Sequence, residues 1–478
     1  MTGTPFLRQC FVTSGIALNI SQIGLVLAYS VAIVNQLQDP DSSISIDDEC
    51  GSWISALPGI ALAFGNMAVA GTMAKCGRRR TNILSSILSF VGWILILFAD
   101  DVIWIFIGRF LQGISLGLIL TSGPVIVGEY TSPKYRGTLL TVISVAISAK
   151  TLTMHMMASY LKWRLIAFIC TIINFVAVLI CLYSPETPSA LAHKGKYDDC
   201  KKVYRWLRGN DEEQELKDLI KASTELNQSK HNLVNQTITE RVRCKLDNLK
   251  MTFKKKEVYK PLIISLHLYM ISYWSGMPAI SVFPIITVTK IVGTEMNIPI
   301  VIMSVDLIRL LSNFLAMYIV KKFKRRLLIY CTAGVNIALL FLIAGYVYLI
   351  ENNVIIGKPI IGLILLYVHI LSIAIGSLPL PLVISGEIFP LESRSMTSSV
   401  SAVLSSLNLF IVLKTFSLLY NNTNIYGVYS LYGVICIYSL VIVALLLPET
   451  KDKSLFDIEN EFKSKVTRNR DESTDVFI

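Results

Sequence analysis

The chain has 478 residues, 53% of them hydrophobic and only 16% charged, with a mean hydropathy of +0.58. Soluble domains carry about a quarter charged residues, so this composition excludes an ordinary soluble fold. The formal net charge of +11 needs no nucleic-acid partner, because basic residues on one side of a membrane account for it. Nine cysteines lie scattered, mostly within apolar runs and without a CxxC pair, which argues against a disulfide framework or a metal site.

Apolar runs long enough to cross a hydrocarbon core recur down the chain and predict twelve spans. They fall near residues 11–35, 53–74, 81–99, 102–128, 138–160 and 163–183, then 260–286, 297–320, 326–349, 359–384, 395–419 and 425–447. The first run lacks a small-residue cleavage site, so it reads as a span and not a cleavable signal. The expected domains are a six-helix bundle over 1–183, a linker over 184–258, a second bundle over 259–447 and a tail over 448–478. Within the linker, KYDDCKKVYRWLRG and DEEQELKDLIKASTEL alternate apolar and charged residues at helical spacing and predict short amphipathic helices.

Landmarks in the first half recur in the second. Glu129 and Arg136 are seven residues apart around Pro133, and Glu387 and Arg394 keep that separation around Pro390. The triplets Pro185-Glu186-Thr187 and Pro448-Glu449-Thr450 follow, and arginine clusters precede, at Arg78, Arg79 and Arg80 and at Arg325 and Arg326. One half is written twice.

Charge asymmetry sets an expected orientation. The arginines after span two, Lys134 and Arg136 after span four, and KKFKRR after span eight share one side, while Asp39, Asp41, Asp47, Asp48 and Glu49 occupy the first loop on the other. The basic side is expected to be cytoplasmic, with both termini there. The glycosylation sequon at Asn421 sits in an expected outside loop, whereas those at Asn227 and Asn235 fall on the cytoplasmic side and are expected to be silent.

Six spans, a long loop, six more spans and paired GR…E…P…R…PET landmarks resemble the sugar porter family of the major facilitator superfamily, over nearly the whole chain. KGKYDDCKKVYRWLRG and LPETKDKSLFDIENEF are similar to the insect facilitated trehalose transporter branch. The resemblance implies an all-α polytopic membrane protein with two pseudo-symmetric six-helix bundles. It also implies a cytoplasmic charge network that biases a two-state equilibrium. Its expected members are Arg109, Glu129, Arg136, Glu387 and Arg394, with Arg78 and Arg325; the alternative is that these charges only anchor helix ends at the interface. The family's acid three residues before Gly-Arg-Arg is lost: Ala74 precedes Gly77-Arg78-Arg79, and Lys321 and Lys324 stand in the second copy. Glu186 and Glu449 are candidates to supply the missing carboxylates.

Sugar porters bind sugar with amides and indoles, because an amide bridges adjacent hydroxyls without a charge to desolvate. Here the span-seven pattern reads SYWSGMP: Ser272 and Tyr273 replace glutamines, Gly276 is kept and Pro278 replaces an asparagine. Leu382 takes the place of the span-ten tryptophan, Ser405 and Ser406 that of the Asn-Trp pair in span eleven, and Ser144 that of a span-five glutamine. The candidates left to hold a polyol are Ser144, Tyr273, Trp274, Ser275, Ser281, Asn313, Ser405, Ser406 and Asn408. For each aromatic, packing is the competing reading.

Lys150, His155, Asp306 and Arg309 are charged or titratable within spans five and eight, where such groups are costly and default to paired or functional roles. Lys150 and Asp306 lie fourteen and fifteen residues from Arg136 and Lys321, about 21–22 Å along each helix, which allows an ion pair between the halves. The alternative is an Asp306–Arg309 pair within one helix, with Lys150 reaching toward water.

Span one carries Ser30 where proton-coupled sugar porters place an aspartate, and it holds no acid, which favours uniport. No catalytic constellation and no cofactor motif is present, so an enzyme is not expected. The expectation is a facilitative sugar carrier of the plasma membrane, trehalose or hexose-like in cargo, with a small-molecule solute and the lipid bilayer as partners. Its alternatives are a carrier of another small, anionic solute, or a transporter-like sensor that does not cycle. The oligomeric state is open.

Overall fold

The structure, a computed structural model, describes residues 4–42, 44–209, 212–231, 255–390, 393–451, 453 and 455–464. These are overwhelmingly helical, and the chain divides into two compact units, Met1–Glu240 and Arg241–Ile478.

In the first unit, span one is two helices, Pro5–Ile20 and Gln22–Leu37, meeting at Ser21. The Ser21 hydroxyl donates to the Ala17 carbonyl at 2.5 Å, bending the helix by competing with its own ladder. Asp48–Lys75, Arg78–Leu97, Val102–Tyr130, Pro133–Tyr160 and Trp163–Tyr183 follow. The Asp47 side chain accepts from the Cys50 N–H at 2.8 Å, and Asp48 and Glu49 complement the positive end of the second span. Spans two and four pack backbone to backbone at Gly65 and Gly117: a Cβ on Gly117 would stand 2.7 Å from the Gly65 Cα.

In the second unit, span seven is interrupted. Lys256–Tyr273, Met277–Val282 and Pro284–Val292 are separate helices. Gly276 takes φ +92°, a conformation only glycine adopts freely, and Pro278 and Pro284 each open the helix that follows a break. Ile298–Lys322 and Arg325–Glu351 are spans eight and nine, and span ten runs Pro359–Ser372, through a π-turn at Ile373–Ser377, into Pro379–Ile388. Spans eleven and twelve form one helical run, Arg394–Leu446, broken only at Asn424.

Ten described stretches are long and apolar enough to cross a membrane. Dividing the last at Asn424 and adding the interrupted seventh span gives twelve, so the protein is an all-α, multi-pass membrane protein. The faces are those of a protein in lipid. Span six buries Cys170, Asn174 and Cys181 and exposes Phe168, Ile172, Phe175 and Leu179, because hydrocarbon tolerates the apolar face and the polar groups must find partners inside.

After span six, within the first unit, the expected amphipathic helices form at Tyr197–Arg208 and Glu213–His231, preceded by a short helix Pro188–His193. Tyr197–Arg208 buries Cys200, Tyr204 and Leu207 and presents Lys201, Lys202 and Arg205 outward. Arg208 joins it to the first bundle. The guanidinium donates to the Thr131 carbonyl at 2.8 Å and pairs with Glu212 and Glu215 at 3.0 and 2.9 Å. The Asn235 sequon lies outside the described residues, as does the side chain of Asn227.

Candidate functional site

The duplicated landmarks fold into duplicated clusters. In the first unit, Arg78 opens span three and pairs with Glu129, at the end of span four, at 3.2 Å. Glu186 accepts the backbone N–H of Arg79 at 2.9 Å and pairs with Lys194 at 3.7 Å. Gly77, at φ +96°, lets Glu186 come this close, since a Cβ there would collide with the carboxylate. In the second unit, Arg325 opens span nine and pairs with Glu387 at 3.2 Å. Glu449 accepts the N–H groups of Arg325 and Arg326 at 3.0 and 3.2 Å. Each PET glutamate therefore seats on the positive end of a helix whose first arginine is paired to another acid. Burial pushes the Glu449 carboxyl up, but N–H groups from Lys451, Arg325, Arg326 and Thr450 outweigh it and hold the group below its usual range.

The structure corrects part of the expected network. Arg109 is not in it. It lies seven residues into span four, and Glu129 is twenty residues further, about 30 Å along the helix. Arg109 is instead fully buried, donating to the carbonyls of Val26 at 2.5 Å and Ile54 at 3.1 Å and to the Ser30 hydroxyl at 2.6 Å. Arg394 is exposed and donates to the Gly386 carbonyl at 2.7 Å, where it caps a helix end. The side chain of Arg136 lies outside the described residues. Conversely, sequence reading missed Arg79, Tyr130, Lys194 and Thr450. Tyr130 donates to the Pro185 carbonyl at 2.5 Å, and Thr450 to Glu387 at 2.6 Å. The PET triplets were the available signal, because both contacts fall on them.

Most of the polar candidates for a sugar gather around the interruption of span seven. Trp274 donates from Nε1 to Asn408 Oδ1 at 2.9 Å and meets Tyr432 edge-on. Tyr273 bonds to Ser405 and stacks on Tyr269. Ser281 accepts from Arg309 at 3.2 Å. Ser275, in the break, turns its hydroxyl back onto the preceding helix, to the Ser272 carbonyl at 2.6 Å, and Ser406 turns its own onto its helix, to Ala402 at 2.7 Å. Asn313 lies one turn beyond Arg309, half-buried, and Ser144 is exposed on span five of the other unit.

Lys150 and Arg309 find hydrogen-bond partners within their own units. Lys150 donates to the Leu18 carbonyl at 2.9 Å, beside the bend of span one, where a cation suits a helix C-terminus. Arg309 holds Ser281 while Asp306, one turn away and buried, offsets its charge. His155 is buried, and its carbonyl accepts from Ser159. The Asn421 sequon is not in a loop as expected. Residues 421–423 are helical and exposed, and the Thr423 hydroxyl bonds back to Leu419 at 2.8 Å, because the turn is made by Asn424 alone. Among the described residues no group of three metal-ligating side chains occurs.

The profile of the family described as "Sugar (and other) transporter" matches residues 10–462. The facilitated trehalose transporter Tret1 of Drosophila yakuba is 27% identical over 468 residues, covering 96% of this chain and 52% of its own length. The Tret1-2 homolog of Drosophila simulans is 27% identical over 452 residues, with 93% and 88% covered. The chain thus spans about half the length of several curated relatives it matches. The xylose transporter XylE from E. coli, solved in an inward open conformation, superposes with a TM-score of 0.73 at 18% identity, covering 96% of this chain and 99% of that one. That likeness establishes the major facilitator fold. With the family profile running nearly end to end over a duplicated twelve-span chain, the protein belongs to the sugar (and other) transporter family.

Proposed function

We propose that the protein is a facilitative carrier of sugars, trehalose or hexose-like, working by alternating access in the plasma membrane with its basic side and both termini in the cytoplasm. Family membership and the trehalose transporters among its relatives support the cargo class. The observation that carries the facilitative part is the Arg109–Ser30 hydrogen bond of 2.6 Å. Among the described residues, this buried arginine donates to two carbonyls, a hydroxyl and the Gln112 amide, all uncharged acceptors, which supports transport without a proton-carrying acid at this place. The clusters around Arg78, Glu129 and Glu186 and around Arg325, Glu387 and Glu449 act as gates that favour one state until broken. Tyr273, Trp274, Ser281, Ser405 and Asn408 provide hydroxyl, indole and amide groups for a neutral polyol.

Uptake of labelled trehalose and glucose into vesicles containing the purified protein tests this reading. Saturable flux down a sugar gradient, unchanged when a proton gradient is imposed or collapsed, is the expected result. Flux that requires a proton gradient overturns uniport, and saturable flux of neither sugar overturns the cargo.

A further inference from the structure

The first turn of span three carries three arginines in a row, Arg78, Arg79 and Arg80, where cations oppose the positive end of the helix. The protein offsets two of them. Arg78 pairs with Glu129 at 3.2 Å, and Arg79 donates to the Leu182 carbonyl, at the end of span six, at 2.5 Å. Arg80 is exposed, and among the described residues its side chain has no ion pair or hydrogen bond. The second half shows that the bundle does not require this cation. Arg326 repeats Arg79, donating to the Ala444 carbonyl at the end of span twelve at 3.3 Å, but the residue after it is Leu327, also exposed.

Arg80 stands at the foot of an apolar stripe. Leu84, Ile87 and Val91 follow it at helical spacing, all exposed on one face of span three. From Arg80 to Val91 the helix rises about 16 Å, close to the acyl depth of one leaflet, about half of a 30 Å core. Span six lays a second stripe beside the first: Phe175, Leu179 and Leu182 are exposed, and the Phe175 ring lies 5.8 Å from that of Phe90 on span three. Lys194 adds a cation on the same rim, exposed, with Nζ 3.3 Å from the Cys76 carbonyl. The carboxylates of this cluster are engaged, Glu129 by Arg78 and Glu186 by the Arg79 N–H and Lys194. What lacks a counterpart is a cation at the head of two hydrocarbon-facing stripes, and a lipid with a negative headgroup supplies both halves of it.

We propose that the groove between spans three and six binds an anionic phospholipid. Its headgroup sits on Arg80 and Lys194, and its chains lie along Leu84, Ile87 and Val91 and the facing side of span six. With the basic side in the cytoplasm, the groove opens to the leaflet that is rich in anionic lipid. The site lies wholly within the first unit and does not depend on what the carrier moves.

The test places the full chain in phosphatidylcholine vesicles doped with phosphatidylserine that bears a photoreactive group on one acyl chain, and maps crosslinked peptides by mass spectrometry. Crosslinks are expected within Arg78–Leu97 and Trp163–Tyr183. Arg80→Leu, which installs the residue of the second half, should lower them about fivefold, the effect of one cation near an anionic headgroup. Arg80→Lys, which keeps the charge, should stay within about twofold of the parent. Phosphatidylcholine carrying the same photoreactive group should label Arg80→Leu and the parent alike. Equal phosphatidylserine labelling in Arg80→Leu and the parent overturns the site. So does an equal loss in Lys202→Leu, an exposed cation on the Tyr197–Arg208 helix, since that marks attraction to any basic surface. A parallel loss of phosphatidylcholine labelling traces the effect to a disturbed bundle and sinks the proposal, and full competition by inorganic phosphate assigns Arg80 to a free anion instead. No sugar is present in the assay, so its outcome is separate from that of the sugar reading.

Discussion

Glu186 and Glu449 hold matching places in the two halves: Glu186 accepts the Arg79 N–H, and Glu449 those of Arg325 and Arg326, each at the start of a helix that begins with arginine. The same arginines, Arg78 and Arg325, reach sideways to Glu129 and Glu387. A helix end and an ion pair are thus joined twice by one local design.

The depressed Glu449 carboxyl makes the first prediction. A group held below its ordinary value of 4.5 adds stability that is complete above that value and lost as pH falls through the lower folded value. Glu449→Gln should therefore melt below the parent at about pH 7, by about 1 kcal/mol, as for loss of a helix cap. The gap should close as the medium is acidified below the ordinary carboxylate range. Thermal unfolding in detergent across pH reads both, and a gap that persists in acid rules out the charged cap as its cause.

Breaking the ion pairs should alter cycling more than binding. Arg325→Gln leaves Glu387 with Thr450 as its remaining described side-chain partner, and a population shift of about 1–2 kcal/mol lowers turnover roughly tenfold with a smaller change in KM. Arg325→Gln/Glu387→Gln should cost less than the two single changes added together, since each removes the same pair. Vesicle uptake kinetics measure this, and strict additivity would contradict the shared role.

Ser30 offers a gain-of-function test. Replacing it with aspartate puts an acid against the buried Arg109, where the hydroxyl now accepts at 2.6 Å. Uptake by the parent should be flat from about pH 5.5 to pH 7.5, whereas Ser30→Asp should make it vary over that range. A flat profile in the variant would show that an acid at this place does not couple to transport.

Trp274 and Asn408 should act as one unit for the substrate. Each single change, Trp274→Phe or Asn408→Ala, removes the 2.9 Å bond between them, so the double variant should raise the sugar KM little beyond either single. Isothermal or flux-based affinity measurements distinguish this from two independent contacts.

The spans were legible in sequence because apolar length is a direct consequence of bilayer thickness, and the two clusters because duplication repeated their spacing. Arg109 was placed in the network by the resemblance, but it and Glu129 lie twenty residues apart on one rigid helix and so cannot meet. Ser281 was visible as a polar residue, but its tie to Arg309 joins two spans that no local pattern connects.

Spans eleven and twelve meet at one non-helical residue, Asn424, at φ 54° and ψ −174°. There is no slack between them. A connection this short works as an elbow and not as a tether, so a tilt or rotation of one span is delivered to the other within the same stroke. It also leaves no spare backbone for inserted epitopes or protease sites, and the economical place to loosen the elbow is the angle itself. Glycine at 424 relieves an angle that nearly every other residue resists, and it would let the two spans move apart in time.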